Sequence, residues 1–186
     1  QNQKPLSLSM GKMKYPNIEE FTKIVSKGTI NRSKKIFLPA KTHEGKNGIR
    51  IASLWTDNHG NNYLIDEGWF PQTEYDYFKN NTDQINTEII GYIRFPTQKR
   101  MFTPENSQSS NEWYYYDLKQ IQNYFDIQIN QKFFIKNMSN YSEKNIIPSS
   151  IKHNFTNNHL QYAITWFLMS ISFCIIFLIY YFRANK

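Results

Sequence analysis

The residues best placed to do chemistry stand just ahead of a long apolar run. In Asn157–Trp166 (NNHLQYAITW), a histidine precedes a tyrosine by three positions and a tryptophan by seven. On a helix His159, Tyr162, Trp166 and Ser170 fall near one face, with Met169 and Phe173 beside them. A neutral imidazole at the edge of a bilayer can offer an axial bond to the iron of a porphyrin, and aromatic side chains below it can cover the apolar macrocycle. The plainer reading is an interfacial anchor, amphipathic like Tyr and Trp. Position alone leaves both open.

Other chemistry is hard to find. The chain has no G-x-S-x-G, H-E-x-x-H, Walker loop, G-x-G-x-x-G or cysteine pair. His43 and His59 lie in polar turn sequences and read as solvated. Asp57 and His59 could pair as acid and base, yet nothing nearby supplies a nucleophile. Asp66, Glu67, Glu74 and Asp76 read as a solvated face. The lone Cys174 lies inside the apolar run, where it reads as a packing residue. The expectation is a protein that is not an enzyme. An unrecognised catalytic site would need Asp57, His59 and Asp66 gathered in one pocket.

These residues depend on the element that carries them. Tyr162 to Phe182 (YAITWFLMSISFCIIFLIYYF) holds no charge, Pro or Gly. As a helix it spans roughly 30 Å, the thickness of a bilayer's hydrocarbon core. Tyr162 and Trp166 mark one end and Tyr180 and Tyr181 the other, in the manner of aromatic belts, and Arg183 and Lys186 follow. The expected organisation is an extramembrane domain over 1–158, a transmembrane helix over 159–183 and a short tail over 184–186.

The extramembrane part reads as mainly β, a β-rich α+β domain. Strands are predicted over Phe21–Ile30, Lys34–Pro39, Ile49–Thr56 and Asn62–Asp66, separated by turn-like Asn31–Ser33, Glu44–Gly48 and Asp57–Asn61. Glu88–Phe95 alternates as a further strand. Glu112 onward begins like a strand. From Asp117, a natural N-cap, it turns helical, with Leu118, Ile121, Tyr124 and Phe125 on one side. Lys132–Met138 is another strand candidate.

The net charge of +7 is uneven. Residues 1–50 carry eleven Lys/Arg against three acids, and residues 51–110 carry four against eight. A basic first third in a membrane-tethered chain favours membrane lipid, through its anionic headgroups, or an acidic partner. Nucleic acid is not expected, because the basic residues are scattered and no recognition motif accompanies them. The chain begins at Gln1 with no signal peptide, so further residues are expected upstream.

Three stretches are more specific than composition. LIDEGWFP (Leu64–Pro71) ends an apolar run in Gly, Trp and Pro, as a buried Trp closing one end of a sheet would. FTPENSQSSNEWYYYDL (Phe102–Leu118) sets a polar loop before an aromatic run, either to present a surface or to order Trp113 into the core. NNHLQYAITW is the third. Together, and collinearly from about Phe21 to Arg183, they resemble the Surfeit locus protein 1 family of assembly factors for haem–copper cytochrome c oxidase. The resemblance implies an upstream first transmembrane helix and a domain on the periplasmic or intermembrane-space side, with the C-terminus in the cytoplasm or matrix. It implies a non-catalytic chaperone that helps deliver haem a to the large oxidase subunit or stabilise it there. His159 would then be the candidate ligand to the haem iron, with Tyr162 and Trp166 in the binding face. Implied partners are the large subunit of cytochrome c oxidase and haem a synthase. The alternative is a membrane scaffold that holds the subunit or the synthase without touching haem. Composition favours a bacterial inner membrane over a mitochondrial one. Two positions depart from the family's pattern: Glu67 and Tyr116 stand where a basic residue is common, which weakens any pairing of those positions with haem propionates.

Overall fold

Strand β2 (Lys23–His43) organises the domain, because it pairs with three other strands. The computed structural model describes residues 6–7, 18–96, 99–141, 146–149 and 159–184. The chain divides into two compact units, residues 1–150 and 151–186. Within the first, β2 runs antiparallel to β3 (Lys46–Asp57) and β5 (Gln84–Arg94) and parallel to the short β1 (Leu6–Ser7). Strand β4 (Asn62–Pro71) pairs with β3, and β6 (Phe134–Asn137) joins β4 to β5. The circuit β2–β3–β4–β6–β5 therefore returns to β2, and the sheet closes on itself. Closure removes the free edges that an open sheet would expose.

One apolar cluster draws on every strand of this circuit: Ile24 and Ile30 of β2, Trp55 of β3, Tyr63 and Ile65 of β4, Ile89 and Ile93 of β5, and Ile135 of β6. Strand side chains alternate between faces, so the neighbours of these residues point the other way. There Ile36, Leu38, Ala52, Leu54 and Leu64 are covered by Trp113 and by helix α2 (Leu118–Phe125) through Leu118, Ile121 and Phe125. A third cluster joins Phe37, Ile51 and Phe70 to Phe78 of the short helix α1 (Tyr75–Asn80).

The expected strand regions are present, with two changes. Asn31–Ser33 does not break the chain into two strands. It is a bulge within β2, where the pairing with β3 shifts between Asn31 and Lys35. The Asn31 side chain holds it by accepting from the Ser33 N–H and hydroxyl. Residues 112–116 are not a strand either. The backbone of Glu112 and Trp113 pairs with that of Ser107 and Phe37, and the Asn106 side chain holds that of Tyr114 and Tyr115. The helix predicted from Asp117 is there, and the Asp117 carboxylate accepts from the N–H groups of Lys119 and Gln120. The turn at 57–61 joins β3 to β4. In it Asp57 Oδ1 accepts from the N–H groups of His59 and Asn61.

The second unit contains helix α3 (His159–Ala184), 26 residues long and apolar enough to cross a membrane. Two of its hydroxyls turn inward on the helix: Thr165 donates to the Gln161 carbonyl and Ser172 to that of Leu168, both across 2.9 Å. This self-satisfaction suits a solvent that offers no hydrogen bonds. The described part of the chain is therefore a strand-rich domain and one membrane-associated helix.

Candidate functional site

Each of the three motifs folds into a distinct arrangement. In LIDEGWFP, the pairing of β3 with β4 slips between Ile51 and Ala52, which face Gly68 and Asp66, so that Glu67 is the extra residue. Gly68 there has φ +145°, a conformation that side chains resist. A Cβ on it would lie 2.3 Å from the Ile147 carbonyl oxygen. The space is needed because Ile147 bridges Trp69 by two backbone hydrogen bonds of 2.6 and 2.8 Å. Trp69 is buried over Gly48, and its indole N–H donates to the Lys41 carbonyl. As expected, this Trp is part of the packing.

The adjacent acids of this motif are not a solvated face. Asp66 and Glu67 are both fully buried. Neighbours on a strand point to opposite faces, so each needs its own partners. Glu67 meets Arg32 from the β2 bulge, with Nη2 2.7 Å from Oε2, and also accepts from Ser53 Oγ and the Tyr141 hydroxyl. Asp66 meets Arg50 Nη2 at 2.6 Å, the Tyr116 hydroxyl at 2.8 Å and Lys136 Nζ at 3.5 Å. A carboxylate without such partners could not remain buried as a charge. Of the four acids expected to be solvated only Asp76 is exposed; Glu74 is half-buried.

Titration follows the same geometry. Burial alone would raise the Asp66 pKa. Arg50, then Lys136, and the hydrogen bonds from Arg50 and Tyr116 together hold it below the usual carboxylate range. Burial opposes the charge on Arg32, yet Glu67 raises its pKa. Burial first, and the Asp66 charge second, push the Tyr116 phenol well above its ordinary value. Glu67 and the Tyr116 hydroxyl are thus tied into buried polar clusters, while the Tyr116 ring is partly exposed.

In the second motif the polar loop orders the aromatic run. Asn106 Oδ1 accepts from the Tyr114 N–H at 2.8 Å, and its Nδ2 donates to the Tyr115 carbonyl and to Gln120. Asn111 accepts from the Trp113 indole N–H at 2.9 Å and donates to the Lys35 carbonyl. Trp113 is fully buried. Of the two readings open for this loop, ordering Trp113 into the core is what the geometry supports. Asn106, eight and nine residues from Tyr114 and Tyr115, and Asn111, which reaches Lys35 across the chain, do the work of a strand pairing, and no local periodicity announces this.

The third motif, of which Asn157 and Asn158 lie outside the described residues, opens α3 from His159 onward. His159 is in its first turn and exposed, and Tyr162 and Trp166 on the same face are 65% and 67% exposed. Trp166, Met169, Ser170 and Phe173 line one shallow recess of the helix surface. His159, Tyr162 and Trp166 therefore lie on one side of the helix. His43 packs its ring 5.3 Å from that of Trp69, and His59 is exposed in the β3–β4 turn. Asp57 and Asp66 are each engaged by hydrogen bonds within the fold. Among the described residues, no group of three His, Cys, Asp or Glu could hold a metal ion.

Residues 1–171 match the SURF1 family. The chain belongs to the SURF1 family. The match extends through the His159 motif into the apolar helix. A SURF1-like protein of Rickettsia felis is 28% identical over 166 residues, covering 86% of this chain and 73% of that protein. One from Rickettsia prowazekii is 31% identical over 126 residues, covering 66% of this chain and 51% of its own length. The human Surfeit locus protein 1 is 24% identical over 184 residues, covering 89% and 60%. Against most of these SURF1 relatives the chain spans between half and two thirds of their length.

Proposed function

We propose that this SURF1-family chain is an assembly factor for haem–copper cytochrome c oxidase. It assists delivery of haem a to the large oxidase subunit, or stabilises it there, and carries out no covalent chemistry of its own. One observation carries the reading: the family match takes in His159, Tyr162 and Trp166, which share one exposed face at the head of the apolar helix.

That face fits the cargo. An iron porphyrin with a long isoprenoid tail cannot be handled in water, and a helix that enters lipid gives its apolar parts a solvent. The His159 imidazole supplies a nitrogen ligand for iron, and Tyr162 and Trp166 supply flat apolar surface. The domain stands on the periplasmic side of a bacterial inner membrane, beside the oxidase subunit and haem a synthase. Support for a bacterial setting comes from the Rickettsia relatives, at 28% and 31% identity, against 24% for the human protein.

The test is the haem a content of the large oxidase subunit in cells that lack this protein. It should fall, and rise again when the full-length protein is restored. Unchanged content would overturn the proposal. Crosslinking that captures the subunit, from protein that never carries a Soret band, would instead establish a scaffold that does not touch haem.

A further inference from the structure

Residues 100–103 form a tight turn closed by the Thr103 N–H on the Arg100 carbonyl, 3.0 Å apart. Its corner positions are Met101 and Phe102, which are 89% and 94% exposed. Such corners usually carry Gly, Asn, Asp or Pro, as the turns at Gly45 and Gly60 do. No other large apolar side chain of residues 18–141 reaches half that exposure apart from Phe21 at 48%. An isolated exposed Leu needs no explanation, but two large apolar residues at the apex of a turn do.

The surroundings indicate what covers them. Lys99, on the near side of the turn, is paired with Glu105. Arg100 and Lys119 are exposed and make no ion pair among the described residues. Lys119 and Lys99 line one recess with Pro96 and Tyr115. The apex is therefore apolar, and its base carries Lys99, Arg100 and Lys119 against Glu105 and Asp117, a small positive excess. A rigid protein partner would need a socket for a tip this narrow. A bilayer surface gives way around it and offers negative headgroups at the depth of the base. The chain's own apolar helix keeps the domain close to such a surface.

We propose that the turn at 100–103 is a membrane-contact point. Met101 and Phe102 enter the interfacial zone of an anionic bilayer, and Arg100 and Lys119 sit among its headgroups. The proposal uses the helix as a tether and does not depend on haem.

The test places the full chain in nanodiscs of phosphatidylcholine, with or without phosphatidylglycerol. An environment-sensitive fluorophore is attached through Met101→Cys in a Cys174→Ser background, which leaves Phe102 in place. A lipid-borne quencher should reduce its emission several-fold more than that of a label at His59→Cys, and more strongly with phosphatidylglycerol. Arg100→Glu and Lys119→Glu should each weaken the anionic-lipid effect by about fivefold. A label at 101 as accessible to water as the one at 59 in both lipids overturns the proposal. So does shielding that appears only when the oxidase subunit is added, which would make the turn a protein contact. A label on Cys174 itself reports the helix: if that label is not quenched either, the membrane span fails and takes the tether with it.

Discussion

Arg32 and Glu67 meet inside the closed sheet, with Nη2 2.7 Å and Nε 3.1 Å from the same carboxylate oxygen. Both side chains are almost wholly buried, and 35 residues separate them. Removing one partner leaves a buried charge alone. Arg32→Met should cost about 3–5 kcal/mol of stability, whereas Arg32→Met with Glu67→Leu should recover most of it. Urea unfolding of the full chain in detergent, followed by tryptophan fluorescence, reads both. A single variant as stable as the parent would show that the pair does not hold the fold.

Asp66 makes stability depend on pH in one direction. Its folded pKa lies below the ordinary value of 3.8, so its contribution is complete above that value and is lost as pH falls through the folded one. Asp66→Asn should therefore destabilise the protein most at neutral pH, by leaving Arg50 and Lys136 without their counter-charge. The gap between variant and parent should narrow at about pH 3 and below. A gap that is constant from neutral to acid pH would contradict this.

Gly68 tests the close approach at the end of β4. With φ at +145° and the Ile147 oxygen 2.3 Å from a built Cβ, Gly68→Ala must move the 146–149 segment or strain the strand. A loss of about 1–3 kcal/mol is expected. Amide exchange should quicken at Trp69 and Ile147, whose hydrogen bonds would open first. Unaltered exchange at both would mean the segment has room to spare.

Asn106 holds the run that follows Trp113. Asn106→Ala removes acceptors and donors for Tyr114, Tyr115 and Gln120 together. It should cost about 1–3 kcal/mol, while Asn106→Asp, which keeps the acceptor, should cost less. Equal losses in the two variants would show that the Tyr114 contact carries no weight.

The fold was legible where its causes are local. The apolar helix announces itself by composition, α2 by its N-cap and periodicity, and the β3–β4 turn by Asp57 and Gly60. Partnerships across the chain left no such trace. Asp66 and Glu67 look like surface acids because Arg50 and Arg32 lie 16 and 35 residues away. Helix α1 escaped notice because it is six residues long and buries only Phe78. The run at 112–116 has the composition of a strand, but its loop claims its backbone first. The His159 face is the opposite case, since one helix carries all of its parts and the spacing alone brings them together.

The central claim is tested most directly by an absorption spectrum of the full-length protein purified from a membrane that makes haem a. The parent should retain a Soret band, and His159→Ala, folded to the same extent by circular dichroism, should lose it. Equal bands in parent and variant would contradict the account, as would a parent that never carries haem.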